Sequence, residues 1–161
     1  MKLLSFNTNE EILIDDEDYE KLKKYNWHCY YPGKYNKTPY AMTNIKINNK
    51  WKMTRMHRFI MNAKSGKEVD HINHNGLDNR RSNLRIVTKS QQSQNRVRQS
   101  NCLSKYKGVH WHKVTKTWQA NIWVKGKDIS LKYHKTEEEA AKVYDKAALK
   151  YFGEYAYING V

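Results

Sequence analysis

The stretch VDHINHNGLDNRRSNLRIVTKSQQSQN, from Val69 to Asn95, decides the fold of the region around it. The pair Asp70-His71 ends a short apolar run and is followed by a polar loop rich in Asn and Gly. A second apolar run begins at Leu84, and the polar segment after it can form a helix. The predicted order is therefore strand, loop, strand and helix, with a carboxylate and an imidazole side by side where the loop begins.

Phosphodiester hydrolysis is a reaction that this pair of side chains suits. The reaction needs a base that deprotonates water and a hard cation that neutralises charge on the phosphate and on the leaving 3′-oxygen. Asp70 offers an oxygen ligand, and Mg²⁺ takes oxygen ligands while it retains most of its waters. His71 titrates near pH ~6.5 when unperturbed, which suits a general base at neutral pH. The amide of Asn83, on the second strand, could hold the imidazole ring in one orientation.

Residues 56–95 resemble the homing-type HNH endonucleases of phages and mobile introns. The resemblance implies a ββα-metal nuclease fold in which Asp70 and position 92 hold a divalent metal. The ion is expected to be Mg²⁺, with Mn²⁺ able to substitute. His71 is then the general base, and Asn83 steadies it. Position 92 departs from the family pattern, because Gln92 stands where an Asn is expected.

The departure at position 92 leaves three interpretations open. The extra methylene of Gln displaces the carbonyl oxygen by roughly 1.5 Å, whereas Mg²⁺ requires ligands near ~2.1 Å. Either Gln92 still binds the metal, or Asn95 on the same helical face or a water takes its place, or the enzyme is crippled. Under the first interpretation, Gln92→Asn should keep or raise cleavage.

Other charged residues of the motif have two readings each. Arg80, Arg81 and Arg85 could hold phosphate oxygens or stabilise charge in the transition state, or they could form a solvated basic face. His57 is expected to be structural or to contact phosphate. His74 is expected to be exposed to solvent.

The N-terminal part reads as short strands with one helical insert. A strand is predicted at residues 12–14, and Asp15 or Asp16 can begin a helix with acids in its first turn and lysines near its end. A further strand is predicted at residues 27–31. Residues 40–47 and 51–56 are predicted to form a hairpin across Asn48-Asn49, which tolerate positive φ. A helical turn is predicted at residues 58–62.

The C-terminal part is predicted to be a three-stranded antiparallel sheet followed by one helix. The strand-like runs are residues 106–112, 118–125 and 129–134. Thr136 and Glu139 form a capping box, and Gly153 stands after the last turn. Apolar residues recur at the spacing of one buried helical face, at Ala140, Val143, Tyr144, Ala147, Ala148 and Tyr151.

This part resembles the Apetala-two/ethylene-response-factor type of DNA-binding domain. The matching residues are Tyr106, Gly108-Val109, Trp118, Ala120, Ile122, Leu131, Thr136, Ala140-Ala141, Tyr144-Asp145, Ala147-Ala148, Gly153, Ala156 and Asn159. The resemblance implies that the sheet lies in the major groove, which a strand ribbon fits. The base preference does not carry over, because His110, His112 and Trp123 replace common arginines and Lys132 replaces a glycine.

Two sets of DNA-contacting residues follow from this resemblance. The residues expected on the reading face are His110, His112, Trp118, Asn121, Trp123 and Lys132. The lysines expected to meet phosphates, which give affinity without sequence choice, are Lys105, Lys107, Lys113, Lys125 and Lys127. For the tryptophans, core packing is the alternative.

Composition points to a polyanion partner. The chain has 161 residues and a formal charge of +14, and residues 51–100 carry 11 Lys and Arg against 3 Asp and Glu. With 12 Tyr and 5 Trp interleaved, this pattern is typical of nucleic-acid binding, and a basic but inert surface is the alternative. Cys29 and Cys102 form no C-x-x-C pair, so neither a Cys-based zinc ribbon nor a disulfide is expected. The sequence has no secretory or membrane-spanning stretch, which favours an intracellular protein.

The sequence therefore predicts an α+β protein with an HNH nuclease domain at 1–96, a linker at 97–104 and a DNA-binding domain at 105–161. The predicted function is metal-dependent, homing-type cleavage of duplex DNA by a monomer, in a bacterial or phage-infected host cell. One alternative is a DNA-binding regulator with a degenerate nuclease core. Another is an RNA-binding or RNA-cutting protein, which charge and aromatic content allow.

Overall fold

The computed structural model describes residues 2–5, 10–32, 38–97 and 103–161. The chain divides into two compact units, one that ends at Lys89 and one that begins at Ser90. Both combine helices with small antiparallel sheets, which confirms the α+β prediction in its general form. Most of the predicted linker, residues 98–102 with Cys102, lies outside the described residues. Ser104, at its end, is buried and donates a hydrogen bond of 2.6 Å to Glu137 Oε1.

The first unit contains three small antiparallel sheets, β1-β2, β3-β4-β5 and β6-β7. Its elements are β1 (Lys2–Ser5), β2 (Glu11–Ile14), α1 (Asp16–Leu22), β3 (His28–Tyr30), β4 (Tyr40–Ile47), β5 (Lys50–Arg55), α2 (Met56–Ile60), β6 (Glu68–His71), a 3-10 turn (Arg81–Asn83) and β7 (Leu84–Val87). The predicted hairpin is confirmed, because Asn48 and Asn49 both have positive φ, 48° and 62°, between β4 and β5. The helix predicted at 58–62 begins two residues earlier.

Among the described residues, an apolar core joins most elements of the first unit. It contains Ile12 and Ile14 of β2, Leu22 of α1, Met56 and Ile60 of α2, Val69 of β6 and Leu84 of β7, with Trp27 and Ala41. Trp27 lies outside the strand predicted for it, and its Nε1 donates to the carbonyl of Leu22 over 2.9 Å. The ring therefore closes the end of α1 and contributes to the core.

The second unit contains α3 (Lys89–Asn95), which spans the boundary, and one three-stranded sheet backed by a helix. The further elements are β8 (Val109–His112), β9 (Thr117–Val124), β10 (Lys127–His134), α4 (Glu137–Phe152) and a 3-10 turn (Gly153–Tyr155), with β9 in the middle of the sheet. The capping box is present as predicted: Thr136 Oγ1 accepts from Glu139 N over 3.1 Å, and Glu139 Oε2 accepts from Thr136 N over 3.2 Å. Gly153 ends the helix.

The buried face of α4 is rotated from the predicted one. Ala140, Ala141, Tyr144, Asp145 and Ala148 are buried, whereas Tyr151 is 43% exposed. Asp145 is buried because it accepts hydrogen bonds from the chain end, from Asn159 N and Gly160 N.

Close packing of the sheet on α4 depends on Gly108. Its φ is +74°, and a Cβ there would lie 2.1 Å from the ring of Tyr144. The backbone of β8 therefore approaches the helix more closely than a residue with a side chain would allow.

Candidate active site and nucleic-acid interface

The Asp-His pair ends β6, and pairing with β7 fixes where each side chain points. Asp70 lies opposite Arg85, and His71 lies opposite Leu84. Because successive residues of a strand face opposite sides, His71 shares the core-facing side with Val69, whereas Asp70 points the other way. His71 is 6% exposed, and the side chain of Asp70 is 12% exposed.

The His71 ring is held by side chains from three parts of the unit. Its Nε2 lies 3.4 Å from Asn79 Oδ1. In the tautomer in which Nε2 donates to this amide oxygen, Nδ1 carries the lone pair that a base needs. The ring of His57 packs edge-on against it at 4.8 Å between centroids, and Tyr40 contacts it at 5.9 Å. These contacts hold the imidazole in one orientation.

The amide in contact with the His71 ring is that of Asn79, and the role of Asn83 in steadying the base stays a prediction. Asn83 holds the loop: its Oδ1 accepts from Asn73 N over 2.9 Å, and its Nδ2 donates to Asn73 Oδ1 over 2.9 Å and to the Asp78 carbonyl over 2.8 Å. The sequence placed Asn83 in the second strand, but it ends the 3-10 turn before β7. No local sequence signal marks Asn79 as the ring's partner.

The loop between β6 and β7 is tied to β2 as well. Leu13 N donates to the Leu77 carbonyl over 2.9 Å, and Asn79 N donates to the Leu13 carbonyl over 2.8 Å. At Gly76 a Cβ would lie 2.3 Å from the Pro39 carbonyl oxygen, so the loop packs directly on the chain before β4. These contacts place Asn79 under the His71 ring.

Burial lowers the pKa of both histidines. The pKa of His57 is lowered well below its ordinary value, by burial first and by the neighbouring His71 second. Burial also lowers the pKa of His71, although the hydrogen bond to Asn79 and the charges of Asp70 and Asp78 oppose the shift. His57 is 3% exposed, which leaves little surface for a phosphate contact. His74 is half-buried, not fully exposed as expected.

Asp70 is the carboxylate that the sequence predicts as a metal ligand. One partly exposed oxygen ligand suits Mg²⁺, which keeps most of its waters, so the donor chemistry fits. Its Oδ2 accepts from Arg85 Nε at 3.1 Å and Nη2 at 2.9 Å, so Arg85 neutralises this carboxylate in the structure. Within the described ranges, no group of three or more His, Cys, Asp or Glu side chains could hold a metal.

The other two arginines of the motif pair with carboxylates of the first unit, and their phosphate role stays a prediction. Arg80 pairs with Asp78 through Nε at 2.7 Å and Nη2 at 2.6 Å. Arg81 pairs with Asp18 of α1 through two contacts of 2.8 Å. Asp18 and Asp78 are 3% and 1% exposed, and a buried carboxylate requires such a partner. Their distance in sequence hid the Arg81–Asp18 pair from sequence reasoning.

The second metal ligand stays a prediction. Gln92 is half-buried and Asn95 is 4% exposed, and both belong to the second compact unit, which begins at Ser90. Lys107 holds the end of this segment, because its Nζ donates to the carbonyls of Gln94 and Arg96 over 2.6 and 2.8 Å.

The sheet of the second unit has one face on α4 and one face turned away from it. Val109, Ala120 and Ile122 pack towards the helix, so their neighbours in sequence face outward. Four of the residues predicted for DNA reading are on this outward face: His110, His112, Asn121 and Trp123. Trp123 is 66% exposed, and the Asn121 Nδ2 donates to Asp128 Oδ2 over 2.7 Å.

Trp118 is on the other face, as in the core-packing alternative given for the tryptophans. It has the same strand parity as Ala120 and Ile122, and it packs on the core cluster beneath α4. That parity was visible in the sequence. The same alternation places Gln119 outward, where its Oε1 lies 3.2 Å from His110 Nε2; sequence reasoning missed this residue.

Lys132 and the flanking lysines occupy different settings. Lys132 is exposed in an irregular part of β10, with φ +72°, a conformation that favours the glycine found in the resembling family. Lys113, Lys125 and Lys127 are exposed at the strand ends. Lys105 is exposed and pairs with Glu138 at 3.4 Å, whereas burial lowers the pKa of Lys107 to about 8.

Comparison with known proteins assigns the two parts of the chain separately. The HNH endonuclease family model matches residues 56–94, and the AP2 domain model matches residues 104–154. The resemblances predicted from the sequence are therefore confirmed for both parts.

Curated relatives match one or both of these regions. An uncharacterized HNH endonuclease of Acanthamoeba polyphaga mimivirus is 37% identical over 114 residues, which cover 66% of this chain and 58% of the relative. APETALA2-like protein 2 of Oryza sativa subsp. indica is 41% identical over 56 residues, 35% of this chain and 13% of the relative. The ethylene-responsive transcription factor TOE2 of Arabidopsis thaliana is 41% identical over 58 residues, 36% of this chain and 12% of the relative. The chain thus spans less than two thirds of each, and no solved structure matches it.

Among the described residues, no helix is long and apolar enough to cross a membrane.

Proposed function

We propose that this protein is a homing-type HNH endonuclease that hydrolyses phosphodiester bonds in duplex DNA with a divalent metal, and that its AP2-type unit selects the DNA. The observation that carries the proposal is the buried His71 ring, held by Asn79 and His57 beside Asp70. The mimivirus relative, which bears the name of an HNH endonuclease, supports the same activity.

His71 is the general base of the proposed reaction. Its Nδ1 accepts a proton from a water molecule, whose oxygen attacks phosphorus while the bond to the 3′-oxygen breaks. The leaving 3′-oxygen then takes up a proton from solvent. The lowered pKa of His71 keeps the ring neutral, and therefore able to accept a proton, at neutral pH.

Asp70 would hold the metal, with Gln92 or Asn95 as the second protein ligand. A bound Mg²⁺ or Mn²⁺ would neutralise charge on the phosphate and on the leaving oxygen. Because Arg85 occupies Asp70 Oδ2, we expect Arg85→Gln to bind Mn²⁺ about 3- to 10-fold more tightly in calorimetry, since a competing cation near the site is removed.

Gln92→Asn should keep or raise cleavage, and a loss of activity would contradict the role of Gln92 as a metal ligand.

The AP2-type unit would supply DNA selection. We propose that its outward sheet face, with His110, His112, Asn121 and Trp123, enters the major groove, and that Lys105, Lys113, Lys125 and Lys127 meet phosphates. Lys132 would contribute from the irregular part of β10. A nuclease domain tethered to a DNA-binding domain is held at a high local concentration near the DNA site that the second domain binds. We propose that residues 1–96 and 105–161 form the two domains. A protein that acts on DNA is expected inside the cell.

Cleavage of supercoiled plasmid tests the proposal. Wild type should convert the plasmid to nicked or linear DNA with Mg²⁺ or Mn²⁺ and not with EDTA, and His71→Ala should not. His28→Ala is the matched control, because it removes an exposed imidazole with no proposed role and should leave metal-dependent nicking in place.

A DNA-binding regulator with a degenerate nuclease core is the second candidate. Gln at position 92 favours it, and so does the pairing of Asp70 with Arg85. Wild type that binds duplex DNA but cuts none, including DNA of its host and of related insertion sites, would establish this candidate instead. Competition by structured RNA as strong as that by duplex DNA would favour an RNA ligand.

A further inference from the structure

The nuclease unit carries a projecting β-ribbon, residues 44–53, that its core does not use. In the part of the chain that the structure describes, β3 pairs with residues 40–42 of β4 alone. Beyond this point β4 and β5 form a two-stranded ribbon across the Asn48-Asn49 turn. Every residue of the ribbon is exposed except Ile45, which is half-buried. An isolated two-stranded ribbon is marginally stable in water, so a ribbon exposed on both faces is a candidate binding element.

The two faces of the ribbon differ in chemistry. Trp51 lies opposite Lys46, and Met53 lies opposite Asn44, on one face. Trp51 is 71% exposed and Met53 is 60% exposed, although large apolar side chains gain most when they are removed from water. The other face pairs Ile45 with Lys52 and Ile47 with Lys50. The ribbon thus combines an aromatic face with lysines on both sides.

The charge around the ribbon has one sign. Between Glu20 and Glu68 the chain contains twelve Lys and Arg and no Asp or Glu. A depression at the base of the ribbon is lined by Lys24, Lys46, Tyr25 and Trp51, among other residues without a carboxylate. Positive charge of this kind favours a polyanion as the ligand. It disfavours a second copy of the ribbon, because the lysines of the two copies would repel each other.

We propose that residues 44–53 bind duplex DNA in the major groove and form a second DNA contact, independent of the AP2-type sheet. The major groove, roughly 12 Å wide, admits a two-stranded ribbon. Lys46, Lys50 and Lys52 would meet the phosphates at its edges, and Trp51 with Met53 would pack on base edges and sugars. The inference rests on the proposed function only in taking duplex DNA as the ligand.

Binding of the full-length protein to a labelled duplex in EDTA tests the ribbon without cleavage. We expect Lys50→Gln/Lys52→Gln to raise Kd about 5- to 20-fold and to reduce the slope of log Kd against log salt by about 1.8, since each phosphate contact contributes about 0.9. Trp51→Ala should raise Kd about 5-fold or more with an unchanged salt slope, because it removes packing and no charge. Thermal unfolding should stay at the wild-type temperature.

Matched controls separate the ribbon from general charge. Lys142→Gln/Lys146→Gln removes the same charge from exposed positions on α4. It should change Kd and the salt slope less than Lys50→Gln/Lys52→Gln does. Wild-type affinity and slope in both ribbon variants would overturn the proposal. Loss of a dimer in Trp51→Ala, with DNA affinity unchanged, would also overturn it in favour of self-association.

The outcomes keep the two proposals apart. If the ribbon variants bind DNA like wild type while His71→Ala abolishes cutting, the proposed DNA contact of the ribbon is wrong and the proposed nuclease activity is retained. If the wild type cuts no DNA but the ribbon variants bind DNA more weakly than it does, the proposed DNA contact is retained and the proposed nuclease activity is wrong.

Discussion

At the scale of single residues, the proposed base depends on one buried amide. Asn79 is fully buried, and its Oδ1 faces His71 Nε2 at 3.4 Å. We expect Asn79→Ala to lower the single-turnover cleavage rate about 10- to 100-fold, as loss of an orienting partner does in comparable sites, with little change in Kd for DNA. Asn79→Asp retains an acceptor oxygen and should recover part of the rate. Cleavage by Asn79→Ala at the wild-type rate would show that the contact does not orient the base.

The buried histidines predict how stability depends on pH. The folded-state pKa of His57 lies well below that of the unfolded chain, so the unfolded state binds more protons on acidification. The contribution of His57 to the free energy of unfolding is therefore fully present above pH ~6.5. Below that pH it decreases, by up to about 1.4 kcal/mol per pH unit for one such histidine. Urea midpoints measured across this range should decrease towards acid, and the decrease should be smaller in His57→Gln. Equal slopes in the two proteins would exclude His57 as the source.

At the scale of elements, the contact between β8 and α4 depends on the absence of a side chain at Gly108. Gly108→Ala would place a Cβ 2.1 Å from the Tyr144 ring at φ +74°, and we expect a loss of about 3 kcal/mol or more from overpacking and strain. Gly126→Ala is the matched control, because its φ is +81° with no atom within 4 Å, and strain alone should cost about 1 kcal/mol. Urea unfolding of the full chain, followed by Trp fluorescence, measures both. Equal losses would mean that β8 moves away from α4 at little cost.

The elements that local chemistry determines could be predicted from the sequence, and the contacts between distant segments could not. The Asn48-Asn49 turn and the Thr136–Glu139 box follow from residues within a few positions of each other. The partner of His71 depends on β2, since Leu13 holds the backbone of Asn79 across 66 positions. Trp118 was assignable by strand parity, because Ala120 and Ile122 identify the buried face.

At the scale of the whole molecule, positive charge is present in the ribbon region as well as in the second unit. Residues 1–50 carry 8 Lys and Arg against 7 Asp and Glu, and the last of these acids is Glu20. The near-neutral total therefore conceals the basic stretch that follows Glu20. A chain with DNA contacts in both parts would show a steeper salt dependence than either part alone. Such contacts would give affinity, whereas the outward sheet face of the second unit would give base discrimination.

The number of strands cut in one binding event follows from the number of active sites. The chain has one Asp70-His71 motif, and one such site with one metal acts on one strand. We therefore expect a monomeric enzyme to produce nicked plasmid first and linear plasmid later, at a rate that falls when competitor DNA is added after the first cut. A time course on supercoiled plasmid, with sedimentation under the same conditions, measures both properties. Linear product without a nicked intermediate would mean that two copies act together, and a dimer in sedimentation would then identify the second site.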